Sequence, residues 1–404
     1  MADLIGFNAI AFVALITIII ALRVPSIASI LFVAFSVRFF TMMIGHYLFD
    51  LPDSDADALN FEKQAWDIGQ QGFFNVLMNF QGPDSRFVSW LIAIFYSFFG
   101  RSLLMAQSIS LFFGIGCVLL GWKLGHMLWD NYTAKKIAWT IALFPSLVLY
   151  SVSFLREVYV CFFLLIALYG VISWAKTEDY KSIIIAMFGF IGAVFFHGAM
   201  LIGALIFITI ICTTSFKKSF GLLKYSYIRV KSFIFFLICI IVLGLYISNL
   251  INVQYLGTFE VASDPQNLFK KTEVSTKGIA SFPEWTIINS PIELIYKSPI
   301  RAIYFIFSPF PWDIKKIQHL IGIFDSILYF YLSILIFRNR AVIWKDKALR
   351  YILIILVFYI LAFGIGVGNF GTAIRHRSKF IIMIILLAGP LIKRLIFYKR
   401  VSKV

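Results

Sequence analysis

Two groups of side chains stand out for the chemistry they can run. The stretch "LPDSDADALNFEKQAWDIG", Leu51 to Gly69, gathers Asp53, Asp55, Asp57, Glu62 and Asp67, five of the chain's twenty acidic residues. It follows directly on a long apolar run. A carboxylate just outside a membrane can act as general base on an acceptor hydroxyl or amine, and Asp55 with Asp57 can hold a divalent cation against a phosphate. The competing reading is a solvated loop that caps a helix. The second group is "GNFGTAIRHRSKF", Gly368 to Phe380, which packs Arg375, His376, Arg377 and Lys379 together. Arginine forks hold phosphate through paired hydrogen bonds, and Gly368 and Gly371 let backbone amides approach an anion.

Three smaller features join them. In "FPSLVLYSVSFLREVYV", Arg156 and Glu157 interrupt an apolar stretch and mark a junction between two helices, either as part of a site or as an ion pair that fixes register. In "FFHGAM", His197 lies between two apolar segments, where a hydrogen-bonded structural histidine competes with a site role. In "RAIYFIFSPFPWDI", Pro309 and Pro311 stop a helix, and Phe310 and Trp312 suit an interfacial aromatic belt or a wall on which a sugar stacks.

The elements that must position these residues are membrane helices. The chain has 404 residues, 61% hydrophobic and only 14% charged. An ordinary soluble domain is about 45–50% apolar and about 25% charged. Apolar runs lie near 4–22, 26–46, 87–99, 103–125, 137–153, 155–174, 182–196, 198–213, 233–250, 318–337, 351–368 and 380–392. They predict one all-α, polytopic membrane domain over 1–404, with about 11–13 membrane helices in a lipid bilayer. The net charge of +16 sits mainly in short loops, without a basic stripe interleaved with base-stacking aromatics, so nucleic acid is not the expected partner. Cys117, Cys161, Cys212 and Cys239 fall inside apolar runs and read as small hydrophobes. The first apolar run lacks the flanks of a cleaved signal and reads as a retained helix.

Basic stretches at 217–231, 337–350 and 393–403 assign the cytoplasmic side. The loops 47–86, 251–317 and 369–379 then fall on the opposite, extracytoplasmic side, the first carrying an interfacial helix with Phe61, Ala65, Ile68 and Phe73 on its apolar face. The parity holds only if 87–99 and 103–125 do not both cross. Carboxylates and arginines thus share one membrane face. A basic pocket there can hold a lipid-linked phosphate while a carboxylate activates the acceptor that attacks the sugar.

The chain resembles the GT-C glycosyltransferase superfamily, polytopic enzymes that use polyprenyl-phosphate- or polyprenyl-diphosphate-linked sugars. "DSDADALNFEKQAWDIGQQGF" is similar to the family's first outer loop, with Asp57, Phe61, Ala65 and Gly69 or Gly72 at matching intervals. "RFVSWLIAIFYSFFGRSLLMAQSISLFFG" resembles the helix pair that follows, turning at Gly100, and "FPSLVLYSVSFLREVYV" the segment with a second outer acid, here Glu157. "FSPFPW" and "GTAIRHRSKF" look like segments of bacterial surface-polysaccharide glycosyltransferases and O-antigen type repeat-unit polymerases. Three alternating aspartates replace the family's acidic pair, and Phe61 stands where tyrosine is commoner.

The resemblance implies an enzyme of the bacterial inner membrane, with its active site facing the periplasm and an undecaprenyl-linked sugar or oligosaccharide as donor. It implies Asp55 or Asp57 as the base and Glu157 as support for the acceptor or a divalent cation. It also implies Asp53, Arg156, His197, Trp312, Arg375, His376 and Arg377 as substrate contacts, and polysaccharide assembly proteins as partners. Single transfer and polymerisation both remain open. A flippase, with Arg38 and Lys123 lining its path, is the alternative from another class.

Overall fold

A computed structural model of the chain describes residues 1–54, 56–80, 82, 86–223, 265–276, 278, 280–314 and 319–393. Asp55, the apolar run 233–250, the part of the second outer loop up to 264 and the basic tail beyond 393 lie outside the described residues. Within them the protein is an all-α bundle, as its composition predicts.

The helices, in order, are α1 (Ala2–Arg23), α2 (Ala28–Tyr47), α3 (Ala56–Gly69), α4 (Phe73–Met78), α5 (Phe87–Phe99), α6 (Leu103–Leu128), α7 (Asn131–Leu143), α8 (Pro145–Tyr150) and α9 (Glu157–Thr177). Then follow α10 (Tyr180–Phe196), α11 (Leu201–Leu223), α12 (Pro265–Ser275), α13 (Pro291–Phe307), α14 (His319–Arg338), α15 (Arg340–Lys345), α16 (Lys347–Gly366), α17 (Phe370–Arg377) and α18 (Ile381–Ala388).

Six helices among the described residues are long and apolar enough to cross a membrane: α1, α2, α6, α9, α11 and α16. Their outward faces are oily. On α1 alone Leu4, Phe7, Phe12, Leu15, Ile18, Ile19 and Leu22 are exposed, a contiguous apolar surface that only lipid can solvate at low cost. The helix α13 follows the same rule although it lies in the predicted outer loop, exposing Ile292, Ile295, Tyr296 and Ile303 while burying Arg301, Ala302 and Phe305.

Three of the remaining apolar runs do not form one long apolar helix of this kind. The 137–153 run breaks at Phe144–Pro145 into the short α7 and α8. The 87–99 run is α5, whose 13 residues span about 20 Å, short of a hydrocarbon core of about 30 Å; it packs on α3, and α6 is the long apolar helix of the pair. The 380–392 run, expected as a crossing, is α18, every residue of which is buried. A helix apolar on all sides belongs at the centre of a bundle.

Small residues bring the long helices together. A Cβ on Gly170 would sit 2.3 Å from the Ala186 nitrogen, and one on Gly189 would sit 2.2 Å from the Ala167 nitrogen, so α9 and α10 touch through their backbones. The 21 residues of α9 cover about 31 Å, a full bilayer core. At its C-terminal end, Lys347 pairs with Glu178 at 3.9 Å and Lys176 donates to the Met127 carbonyl, which unites loops that the charge rule puts on one side. Carbonyls at the end of α18 are taken by Trp129 at 2.9 Å (Leu386) and Asn339 at 3.2 Å (Leu387), and Lys136 takes the Pro390 carbonyl of the turn beyond it at 2.8 Å. The chemistry-bearing residues gather at the opposite end, where α9 and α18 begin.

Candidate functional site

The acidic loop is held by its own geometry. α3 starts at Ala56, so Asp57 stands in its first turn, where a carboxylate complements the helix dipole. Phe61, Ala65 and Gly69 face inward, and the Ser89 hydroxyl of α5 donates to the Phe61 carbonyl at 2.8 Å. Phe73 does not continue this face; a turn at Gly72, with φ of 88°, starts α4 afresh. Glu62, one of the five acids of this stretch, is buried, bound by Arg101 at 2.7 Å and 2.9 Å and by the Tyr96 hydroxyl at 3.0 Å. These bonds lock α3 against α5 and the start of α6, and leave Asp57, 54% exposed, free to face the site.

Arg156 and Glu157 do mark a helix junction: α8 ends at Tyr150, and α9 begins at Glu157. Glu157 is fully buried. Its Oε1 accepts from Arg375 Nε at 2.9 Å and lies 3.4 Å from Lys379 Nζ and 3.7 Å from His376 Nδ1. Its Oε2 has no hydrogen-bond partner among the described residues. Arg375 also donates through Nη1 to Asp57 at 2.5 Å, so one guanidinium bridges a buried carboxylate and an exposed one. Lys379 Nζ lies 2.7 Å from His376 Nδ1. The helix that carries this cluster, α17, is capped by Asn369, whose Oδ1 accepts from the amides of Gly371 and Thr372.

Charge and burial set the protonation states. Burial works against the Arg375 cation, but Glu157 and Asp57 outweigh it and hold the guanidinium above its usual value. Burial draws the Lys379 ammonium down to about 7 against the pull of Glu157. Burial, followed by the Lys379 charge, takes His376 down to about 3, so its imidazole is neutral at physiological pH. A neutral Nδ1 accepts the proton that Lys379 offers.

The other expected residues divide. Asp53 joins the same end of the molecule: its Oδ2 accepts from the Tyr150 hydroxyl at 2.8 Å, from a turn with φ of 60°. Burial and the Asp53 carboxylate keep that phenol protonated well above its usual value. His197 packs edge-on against His376, with ring centroids 5.1 Å apart, and its Nδ1 is buried with no partner among the described residues. Arg156 lies over the Phe61 ring at 5.2 Å and reaches the Phe196 carbonyl at 3.5 Å, tying α3 to α10 beside the cluster.

Two residues depart from expectation. Arg377, read as a phosphate contact, is fully buried and points elsewhere. Its donors go to Asp325 Oδ2 at 2.8 Å and 3.1 Å, the Ile306 and Ser308 carbonyls at 2.8 Å and 2.5 Å, and Ser326 Oγ at 3.1 Å. All its N–H groups are thereby spent on joining α17 to α13 and α14. Positions two apart on a helix diverge by about 200° in direction, so Arg375 and Arg377 leave the helix on nearly opposite sides despite their closeness in sequence. Trp312 stacks on Phe310 at 4.8 Å and is 71% exposed; its contacts are with that aromatic turn and not with the cluster.

Lys379 belongs to the basic cluster that the sequence singles out, but two participants escaped sequence reading. Tyr150 carried no signal at all. Asp325 did: it is a lone carboxylate in the apolar 318–337 run, and an ionisable group at that depth calls for a partner. Arg38 and Lys123, the residues of a translocation path, are otherwise employed. Arg38 binds Ser151 Oγ at 2.9 Å and the Ala142, Ile141 and Ala34 carbonyls, closing the end of α7. Lys123 lies over the Tyr169 ring at 4.6 Å. Among the described residues no three His, Cys, Asp or Glu side chains cluster as metal ligands.

Comparison of the chain with family models, curated proteins and solved structures gives no match. The class that the fold and composition define is therefore coarse: a multi-pass helical membrane protein with a buried ionic centre at one end of the bundle.

Proposed function

We propose that the protein is a GT-C-like membrane glycosyltransferase that moves a sugar or glycan from a polyprenyl (di)phosphate carrier to a glycan acceptor. We further propose that the end bearing Arg375 faces the periplasm of a bacterial inner membrane, where the product enters envelope polysaccharide. The observation that carries this reading is the chain Asp57–Arg375–Glu157, two carboxylates joined by one guanidinium at one end of the helix bundle. It provides a phosphate-binding cation and a base that are released together.

The donor phosphate competes with Asp57 for the Arg375 fork, which matches a phosphate as well as a carboxylate. Glu157 keeps its bond to Nε, so the guanidinium stays oriented while the exposed Nη1 changes partner. The freed Asp57 takes the proton of the acceptor hydroxyl. The acceptor oxygen then bonds to the anomeric carbon as the bond from that carbon to the phosphate oxygen breaks, with inversion. The leaving phosphate keeps the electron pair, and Arg375 and the charged form of Lys379 stabilise it. Trp312 and Arg377 have no part in these steps.

The test is sugar transfer by the full chain in lipid nanodiscs, with polyprenyl-diphosphate-linked oligosaccharides as donors and mass spectrometry of the products. One added residue indicates a single transferase and a ladder a polymerase. Asp57→Asn should lower turnover about 10²–10⁴-fold while changing stability by less than about 1 kcal/mol, as befits an exposed ion pair. Full activity in Asp57→Asn and Glu157→Gln, or movement of an unaltered glycan across the bilayer, would overturn the proposal.

A further inference from the structure

Beside the ionic centre, α3, α4 and α5 enclose a cleft of about 370 Å³ whose lining differs from that of the rest of the bundle. Gln64, Asp67 and Gln71 come from the α3 side, Asn79 and Phe80 follow α4, and Trp90 rises from α5. We propose that this cleft is the acceptor subsite of the transferase reading above, and that it takes the terminal units of an uncharged glycan chain.

Three observations converge on that ligand. The first is the amides. Gln71 and Asn79 are pre-set by one another: Asn79 donates to Gln71 Oε1 at 2.7 Å, and Gln71 donates to the Asp67 carbonyl at 3.0 Å. Gln64 Oε1 is buried without a partner among the described residues. A planar amide offers a donor and an acceptor side by side, the pattern that neighbouring sugar hydroxyls complete.

The second is the aromatic wall. The Trp90 indole is fixed by a 2.8 Å bond to the Val76 carbonyl. It packs on Phe80 at 4.8 Å and lies nearly parallel to Phe87, at 5.6 Å and 22°. The electron-rich face of such a ring attracts the weakly positive C–H face of a pyranose. The one acid and one base of the lining, Asp67 and Arg86, oppose each other in charge, which suits a neutral chain.

The third is position. Asp57 and Gln64 are seven residues apart on one helix, so they share a face with a separation of about 10 Å along the axis. A chain seated on Gln64 and Trp90 therefore points its end along α3 towards the base. The wall is continuous with the ionic centre: Phe87 packs on Phe196 at 4.9 Å, and the Phe196 carbonyl receives Arg156. A volume of this size lies in the range of small-ligand sites, while a space bordering Glu157, about 10 Å³, holds no more than one water.

The test reads binding and leaves catalysis aside. The full chain, labelled with 5-fluorotryptophan and held in nanodiscs, is titrated with cellotetraose, maltotetraose and chitotetraose while ¹⁹F resonances are followed. Trp90→Phe assigns the Trp90 signal. The expected result is a saturable shift of that signal with at least one glycan, weakened about tenfold by Gln64→Ala, the equivalent of one good hydrogen bond, and unchanged in Glu157→Gln. Gln64→Ala is to be compared at a temperature where its unfolding curve matches the wild type. No shift with any glycan, a shift equally strong in Gln64→Ala, or a shift produced by glycerol phosphate instead, overturns the proposal. Glycan binding without sugar transfer would leave the cleft standing and refute the transferase.

Discussion

Glu157 is the point where removal of one atom's charge has consequences that can be worked from the structure. Glu157→Gln keeps shape and volume but withdraws the carboxylate that faces Arg375 at 2.9 Å and Lys379 at 3.4 Å. Arg375 retains Asp57 at 2.5 Å, so it is not stranded. Lys379 is fully buried and loses its counter-charge, with Arg375 and Arg156 still repelling it. It escapes by shedding a proton. In the wild type its pKa is about 7; at pH 6 the variant's forced neutrality therefore costs about 1 kcal/mol relative to the wild type, one unit of proton affinity. The lost charged hydrogen bond to Arg375 adds about 1–3 kcal/mol. At pH 8.5 the wild-type Lys379 is itself neutral, so the first contribution vanishes and only the second remains. The variant should thus show a Tm deficit that is larger at pH 6 than at pH 8.5, measured by thermal unfolding in nanodiscs. Adding Lys379→Met should remove the pH dependence of the deficit, because no buried amine is left to discharge. Deficits equal at both pH values, or no deficit at all, would refute this account of the charge balance.

Three further outcomes follow from the packing. Arg377→Met should cost about 3–5 kcal/mol by leaving Asp325 buried and unpaired, read as loss of folded protein, and Arg377→Met with Asp325→Leu should recover much of it. Gly189→Ala should separate α9 from α10, at about 1–3 kcal/mol for a forced backbone shift, visible as a lowered Tm. His376 holds its pKa near 3, below the ordinary 6.5, so the unfolded chain binds the extra proton between those values. Stability then rises with pH across that window, by up to about 1.4 kcal/mol per pH unit, and is lost in acid; His376→Gln should flatten unfolding curves measured between pH 4 and 6.5.

The bilayer as solvent could be read from the sequence, because apolar fraction and run length are local properties that no tertiary contact alters. The same holds for the start of α3 near Asp57, set by its own acidic first turn, and for the break at Arg156–Glu157, where charge ends an apolar run. Which apolar run forms the core of the bundle was not readable. α18 is more apolar than α9, and its packing against neighbours on every side makes it a core helix. The pairing of Glu157 with Arg375 spans 218 residues, and nothing local encodes such a contact. Direction was equally hidden: two residues of one basic run, Arg375 and Arg377, leave their helix on different sides, one towards Asp57 and the other towards Asp325. Sequence supplied the ionisable groups between the apolar runs; the folding of α9, α14 and α17 against one another decided which carboxylate each cation faces, since a buried charge must be matched by whatever the tertiary structure brings within reach.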